Sequence, residues 1–274
     1  MAGLFRSSDF WRKLIRLVLL NVIYFIILAP LLTAVYFFMY GFIFARLQQA
    51  GSNLSDLTVP MLPGMLLAAS QALPAAVRYI LLAASIVMYG PANCGMAYML
   101  RSIVRREDAG ISDFFIRLRQ NFKQGLALGL LDIFLIGLLV FNICALAGVS
   151  SDALAAVRYM SMALLFFYLL MRHYLCLMAV TARLKINQLL KNALIFAGLG
   201  FWRNILTIFI NTALIFATMS IFSAVEFLAV PLLMFSVTGF VAVFICFPVV
   251  KKYMLDPQIT EQVTEQITET EDKI

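Results

Sequence analysis

The sequence predicts an all-α, polytopic helical membrane protein. It has about six transmembrane helices and two amphipathic helices between spans on the cytoplasmic side. Three observations carry that reading. The 274-residue chain is 63% hydrophobic and 13% charged, whereas a soluble domain is about half apolar and about a quarter charged. Apolar runs of ~18 residues or more recur, each able to cross a ~30 Å hydrocarbon core as a helix. The cations cluster in alternate connections between those runs. Apolar content this high excludes a soluble core with a single anchor. The net charge of +7 lies flush against the spans, so it reads as orientation and headgroup contact, with no nucleic-acid partner.

The first span is about residues 13–44, after a basic lead-in in which Ser8 and Asp9 can cap a helix start. It is too long for the apolar region of a signal peptide and shows no small-residue cleavage site. Pro30 predicts a kink, and Asn21 and Tyr24 offer polar contacts between helices. Residues 48–74 read as a loop punctuated by Gly51, Pro60, Pro63, Gly64 and Pro74, although the middle, 61–72, is apolar enough to lie at the outer interface. The second span is about 75–104, with Gly90-Pro91 near its middle. Proline there frees a carbonyl that must find another partner, as a packing kink or as a hinge facing a ligand.

The chain turns at Gly110 and enters the first amphipathic helix. Ser112 can N-cap it, Asp113 opposes the helix dipole, and Ile111 and Ile116 occupy the two staple positions. Ile111, Phe114, Phe115, Leu118 and Phe122 share one face, while Arg117, Gln120, Asn121 and Gln124 take the other. The third span is about 125–148, a polar turn covers 150–156, and the fourth span is about 158–183. A second amphipathic stretch then places Ile186, Leu189, Leu190, Ala193 and Leu194 opposite Lys185, Asn187, Gln188, Lys191 and Asn192. The fifth span is about 205–224 and the sixth about 227–250, with a tight turn at Glu226.

Residues 1–252 thus form a single membrane domain, and 253–274 an acidic tail. A four-residue repeat from Gln258 to Glu269 puts Ile259, Val263 and Ile267 on one narrow helical face. Threonine at every turn is a poor helix former, so the expectation is a disordered or partly helical cytoplasmic tail. Of the 21 Lys and Arg, only Arg46, Arg78 and Arg158 fall on the side reached after an odd-numbered span, and Arg172 falls inside a span. That asymmetry predicts cytoplasmic termini and cytoplasmic amphipathic helices.

Several motifs carry a family resemblance. Gly90-Pro91-Ala92 is followed by Arg105, Glu107, Asp113-Phe114-Phe115 and Asn121-Phe122-Lys123-Gln124. Together they resemble the YesL-like family of bacterial integral membrane proteins, a domain of unknown function. Residues 21–30 and 183–192 are more loosely similar, and residues 48–74 and the tail fit the pattern poorly. The resemblance implies a multi-pass protein of the bacterial cytoplasmic membrane, often encoded beside carbohydrate-uptake genes. It carries over no catalytic residues.

Ionisable residues inside spans are costly and are functional candidates. Here they are Asp132, Arg172 and His173. Asp132 is expected roughly 12 Å deep and Arg172 about 16 Å from the end of its span at Arg183. An antiparallel pairing of the third and fourth spans would bring them together, either as a polar lining for a solute or proton, or as a buried pair that fixes helix register. The two amphipathic stretches supply a candidate docking arm in Arg117, Arg119, Gln120, Asn121, Lys123, Gln188 and Lys191. Their charge serves anionic lipid equally well.

Cys94, Cys144, Cys176 and Cys246 are dispersed without metal or redox spacing, and there is one histidine, so no metal or cofactor is expected. No paired-carboxylate motif, phosphate loop or nucleophile elbow is present. The sequence therefore points to a non-catalytic accessory component in the lipid bilayer, binding membrane subunits of an ABC-type carbohydrate transporter. The alternative is an autonomous channel or secondary transporter for a small polar solute, built on Asp132 and Arg172.

Overall fold

The computed structural model describes residues 7–49, 61–147, 151–182, 184–221 and 229–255. Among them there is no strand. The helices are α1 (Ser7–Gln49), α2 (Met61–Gln71), α3 (Ala75–Arg105), α4 (Ile111–Gln120), α5 (Phe122–Ala145), α6 (Asp152–Ala179), α7 (Ile186–Leu199), α8 (Phe201–Ile221) and α9 (Phe235–Val250). Wider π turns at Val230–Met234 and Lys251–Leu255 flank α9. Six helices are long and apolar enough to cross a membrane: Trp11–Phe38 within α1, α3, α5, α6, Phe201–Thr218 within α8, and Val230–Leu255 around α9. Their outer faces carry large apolar side chains such as Ile26, Phe134, Phe167, Phe209 and Phe216, as hydrocarbon surroundings require.

Lipid tails are as apolar as leucine, so these helices are held by close packing and polar contacts rather than by expulsion of water. The tightest approach is between α3 and α5. A Cβ on Gly129 would lie 2.6 Å from the Cα and N of Gly90, and one on Gly125 would lie 2.8 Å from Pro91 Cα. A Cβ on Gly90 would run into the Gly125 carbonyl oxygen. Gly125 and Gly129 are one helical turn apart, the small-residue spacing that lets two backbones touch. The Gly90-Pro91 step is the seat of this crossing, and α3 stays helical through it.

Helix α3 is the central element, in contact with α1, α4, α5, α6 and α9. Its buried Ala92, Cys94, Met96, Met99 and Leu100 meet Leu20 and Leu28 of α1, Tyr174 and Met178 of α6, and Cys246 and Val250 of α9.

Side chains from distant helices satisfy backbone groups that lipid cannot. Asn21, fully buried in α1, donates through Nδ2 to the Val230 and Pro231 carbonyls at 2.9 and 2.8 Å, and its Oδ1 accepts from the Ser236 N–H at 2.7 Å. These groups lie at the π turn, where the regular helical hydrogen-bond register is interrupted. Arg101 Nη1 donates to the Val180 carbonyl at 3.1 Å and to Thr181 Oγ1 at 3.2 Å. It thereby caps the C-terminus of α6 with a positive charge. Gln124 Nε2 donates to the Leu184 carbonyl at 2.7 Å, and Arg16 pairs with Asp108 at 3.2 Å. These contacts gather the start of α1, the ends of α3 and α6 and the start of α5 at one end of the bundle.

Several sequence expectations are corrected in detail. The N-cap of α4 is Gly110 rather than Ser112, and the Asp113 carboxylate accepts the Gly110 N–H at 2.8 Å. A cap two residues earlier moves the staple from Ile111 and Ile116 to Ala109 and Phe114, both buried. Of the apolar face of α4, Phe114 and Leu118 pack into the bundle while Phe115 is exposed. Helix α7 packs through Leu189, Ala193, Phe196 and Ala197 and leaves Leu194 of its apolar face exposed. The loop expected over 48–74 contains helix α2 and the last two residues of α1. Of the turn expected over 150–156, residues 152–156 belong to α6. The Glu226 turn and residues 256–274 of the tail lie outside the described residues.

Candidate functional site

The spans hold few charges, and the structure brings two of them together. Asp132 sits ten residues into α5, about 15 Å along the helix axis. Arg172 lies seven residues before the end of α6, about 10 Å from that end. Arg172 Nε is 2.9 Å from both oxygens of the Asp132 carboxylate. Tyr89 of α3 donates to Asp132 Oδ2 at 2.5 Å, and Tyr168 of α6 donates to Oδ1 at 2.9 Å. Arg172 Nη2 closes the ring by donating to the Tyr89 hydroxyl at 2.6 Å. The Asp132 side chain is 8% exposed and the Arg172 side chain 39%. A carboxylate at this depth is tolerated only when paired and hydrogen-bonded, and here each oxygen accepts two bonds.

Asp132 stands between two cavities. The smaller, about 150 Å³, is lined by Asn93, Asp132, Arg172, His173 and Cys176 together with apolar and glycine positions of α3, α5 and α9. His173 is half-buried, and its Nδ1 is enclosed without a hydrogen-bond partner. It faces the cavity but is not part of the Asp132 ring. Asn93 is tied to α1 by accepting from the Tyr24 hydroxyl at 2.5 Å. The larger cavity, about 550 Å³, lies between α1, α3 and α5 and is lined by residues such as Leu28, Phe38, Ile86 and Val140, with Tyr89 and Asp132 at its polar edge. Among the described residues no group of three or more His, Cys, Asp or Glu is placed to hold a metal.

Sequence reasoning misses Tyr89, Tyr168 and Asn93 as site residues, whereas Tyr24 makes the polar contact between helices expected of it. Tyr168 has a readable signal, since it precedes Arg172 by one turn on the same face of α6. Tyr89 and Asn93 have none beyond being polar groups in apolar spans, because their partners lie on other helices.

Most of the candidate docking arm is occupied within the chain. The Arg117 guanidinium lies over the Tyr98 ring at 4.5 Å and donates to Gln120 Oε1 at 3.0 Å. Asn121 Nδ2 donates to the Arg117 carbonyl at 3.0 Å, and Gln188 Oε1 accepts the Lys185 N–H at 3.0 Å at the start of α7. Arg119, Lys123 and Lys191 are exposed. The apolar Phe115 and Ile116 of α4, Leu194 and Ile195 of α7 and Trp202 of α8 are also exposed. Exposed cations beside exposed aromatic and aliphatic groups suit a membrane–water boundary.

No curated protein and no solved structure matches the chain. Residues 17–143 match the model of a family described as a protein of unknown function, DUF624. The matched range runs from α1 to α5, so it includes Tyr89 and Asp132 and stops short of Tyr168 and Arg172.

Proposed function

We propose that the chain is a multi-pass protein of a bacterial cell membrane, with both termini cytoplasmic and no catalytic activity of its own. It holds a small polar solute in the cavity beside Asp132 and Arg172, as a channel or secondary transporter does. One observation carries this reading. Asn93, Arg172 and His173 line a single cavity within the helix bundle, where a polar lining is expensive unless it is used.

Cys176 provides the test. It is half-buried and lines the cavity, whereas Cys94 and Cys246 are buried. A small water-soluble methanethiosulfonate should modify Cys176 in the purified chain well before Cys94 or Cys246, as read by peptide mass spectrometry. Equal protection of all three would mean that water does not enter the cavity, and the solute reading would fail.

A second reading keeps the chain as an accessory component beside a carbohydrate transporter. The setting implied by the YesL-like resemblance supports it, as does the closed hydrogen bonding of Asp132, which suits a register-fixing pair. Its test is mild-detergent purification. Retention of transporter membrane subunits, lost when Arg119, Lys123 and Lys191 are reversed in charge but not when Gln120 and Asn121 become alanine, would assign those cations to lipid or long-range attraction. Loss with the alanine pair would support a specific contact.

A further inference from the structure

A third cavity, about 410 Å³, is bounded by α1, α2 and the start of α3. It lies at the end of the bundle opposite the Arg101 contacts, since about 35 Å along α3 separates Arg78 from Arg101. Helix α2, at 11 residues too short to cross the bilayer, forms one wall. The lining is apolar at residues such as Pro30, Leu66 and Leu82, and the Thr33 hydroxyl is spent on the Ala29 carbonyl at 2.7 Å. Among the described lining residues Arg78 alone is charged. It is exposed in the opening turn of α3, and no hydrogen bond or ion pair joins its guanidinium to the described residues. Leu82 lies one turn deeper in the same span. Neither α2 nor the described lining contains an acidic residue that could pair with Arg78. Orientation does not account for this cation either. The Lys and Arg that set orientation gather at the other end, and only three of 21 fall here.

We propose that this cavity binds one anionic phospholipid, with the lipid phosphate on Arg78 and part of an acyl chain along Pro30, Leu66 and Leu82. Two chemistries meet in the lining, and the ligand must match both. An unpaired guanidinium near the end of a span calls for an anionic group at headgroup level. The apolar walls a turn deeper call for hydrocarbon, because a polar ligand would shed its water there without gaining a partner. A free phosphate satisfies the first demand and not the second. The volume points the same way: about 410 Å³ equals roughly fourteen water molecules at ~30 Å³ each, far more than a phosphate fills. The site uses neither Asp132 nor Arg172, so it is independent of the solute reading above.

The experiment is thermal unfolding of the purified full chain in a non-ionic detergent at constant ionic strength, titrated with phosphatidylglycerol, phosphatidylcholine or sodium phosphate. The expected result is a saturable rise in the midpoint with phosphatidylglycerol, a weaker one with phosphatidylcholine and none with sodium phosphate. Phosphatidylglycerol affinity should fall at least about fivefold in Arg78→Gln, the equivalent of ~1 kcal/mol per cation at a membrane surface. It should fall as well in Ala69→Phe, which fills the cavity from α2 and leaves the charge in place. Arg158→Gln removes a cation from the same end of the bundle, outside the cavity lining, and should leave the affinity unchanged. Arg78 and Ala69 are both exposed, so neither replacement disturbs the packed core. Equal stabilisation by the two lipids, or phosphatidylglycerol affinity unchanged in Arg78→Gln or in Ala69→Phe, would overturn the assignment. A loss in Arg158→Gln as large as in Arg78→Gln would reduce the effect to diffuse surface attraction and overturn it too. Sodium phosphate acting as well as phosphatidylglycerol would replace the lipid by a free anion.

Discussion

Gly129→Ala and Gly137→Ala make the same change on the same helix and should have opposite effects. At Gly129 the added Cβ would lie 2.6 Å from the backbone N and Cα of Gly90, where ordinary contact begins at 3.4 Å. The obstacle is backbone, so no rotamer change relieves it, and α3 and α5 must move apart by about 0.8 Å (3.4 minus 2.6). Overpacking of this sort costs ~1–3 kcal/mol, and the lack of a yielding side chain favours the upper part of that range. At Gly137 no heavy atom lies within 4 Å of the added Cβ. Replacing glycine by alanine gains up to ~1 kcal/mol of helix propensity at either site. That gain cancels between the two variants, so the difference in stability isolates the packing cost. At roughly 2–4 °C per kcal/mol, the Gly129→Ala midpoint should fall several degrees below that of Gly137→Ala in detergent. Equal midpoints would show that α3 and α5 do not cross in backbone contact, and would leave the Gly90-Pro91 step without a packing role.

Three further outcomes are expected. Asp132→Asn or Arg172→Gln alone should each cost about 2–4 kcal/mol, the lower bound reflecting the partial exposure of Arg172. The double variant should cost less than their sum in a thermostability cycle, and strict additivity would reject an interaction. Asn21→Leu strands the carbonyls at Val230 and Pro231 and the Ser236 N–H, and should lose at least ~2 kcal/mol. Wild-type stability would mean that the π turn is satisfied without α1. In intact cells an impermeant thiol reagent should label Ser151→Cys and spare Ser112→Cys and Gln188→Cys, and the reverse pattern would invert the topology.

Features that depend on runs of neighbouring residues are legible in the chain alone. Six membrane-length helices follow from hydropathy and length, since a helix satisfies its own backbone and needs no partner to be recognised. Helices α4 and α7 are legible from their periodicity. Asp132 and Arg172 stand out because charges inside spans are so few.

Packing settles everything that depends on which helices meet. A tyrosine in an apolar span has the same local signature whether it binds lipid headgroups, a backbone carbonyl or Asp132, and only the packing of α3, α5 and α6 selects the last for Tyr89 and Tyr168. Gly125 and Gly129 are ordinary small residues until α3 is laid against them. Arg101 counts in the sequence as one more cation at the end of a span, yet it is buried as the cap of α6. Amphipathic periodicity puts Phe115 and Leu194 on the apolar sides of their helices. It does not say whether protein or membrane covers that side. In a bilayer both are apolar, so hydrophobic pattern alone cannot separate inward from outward, and steric fit and buried polar contacts make that choice.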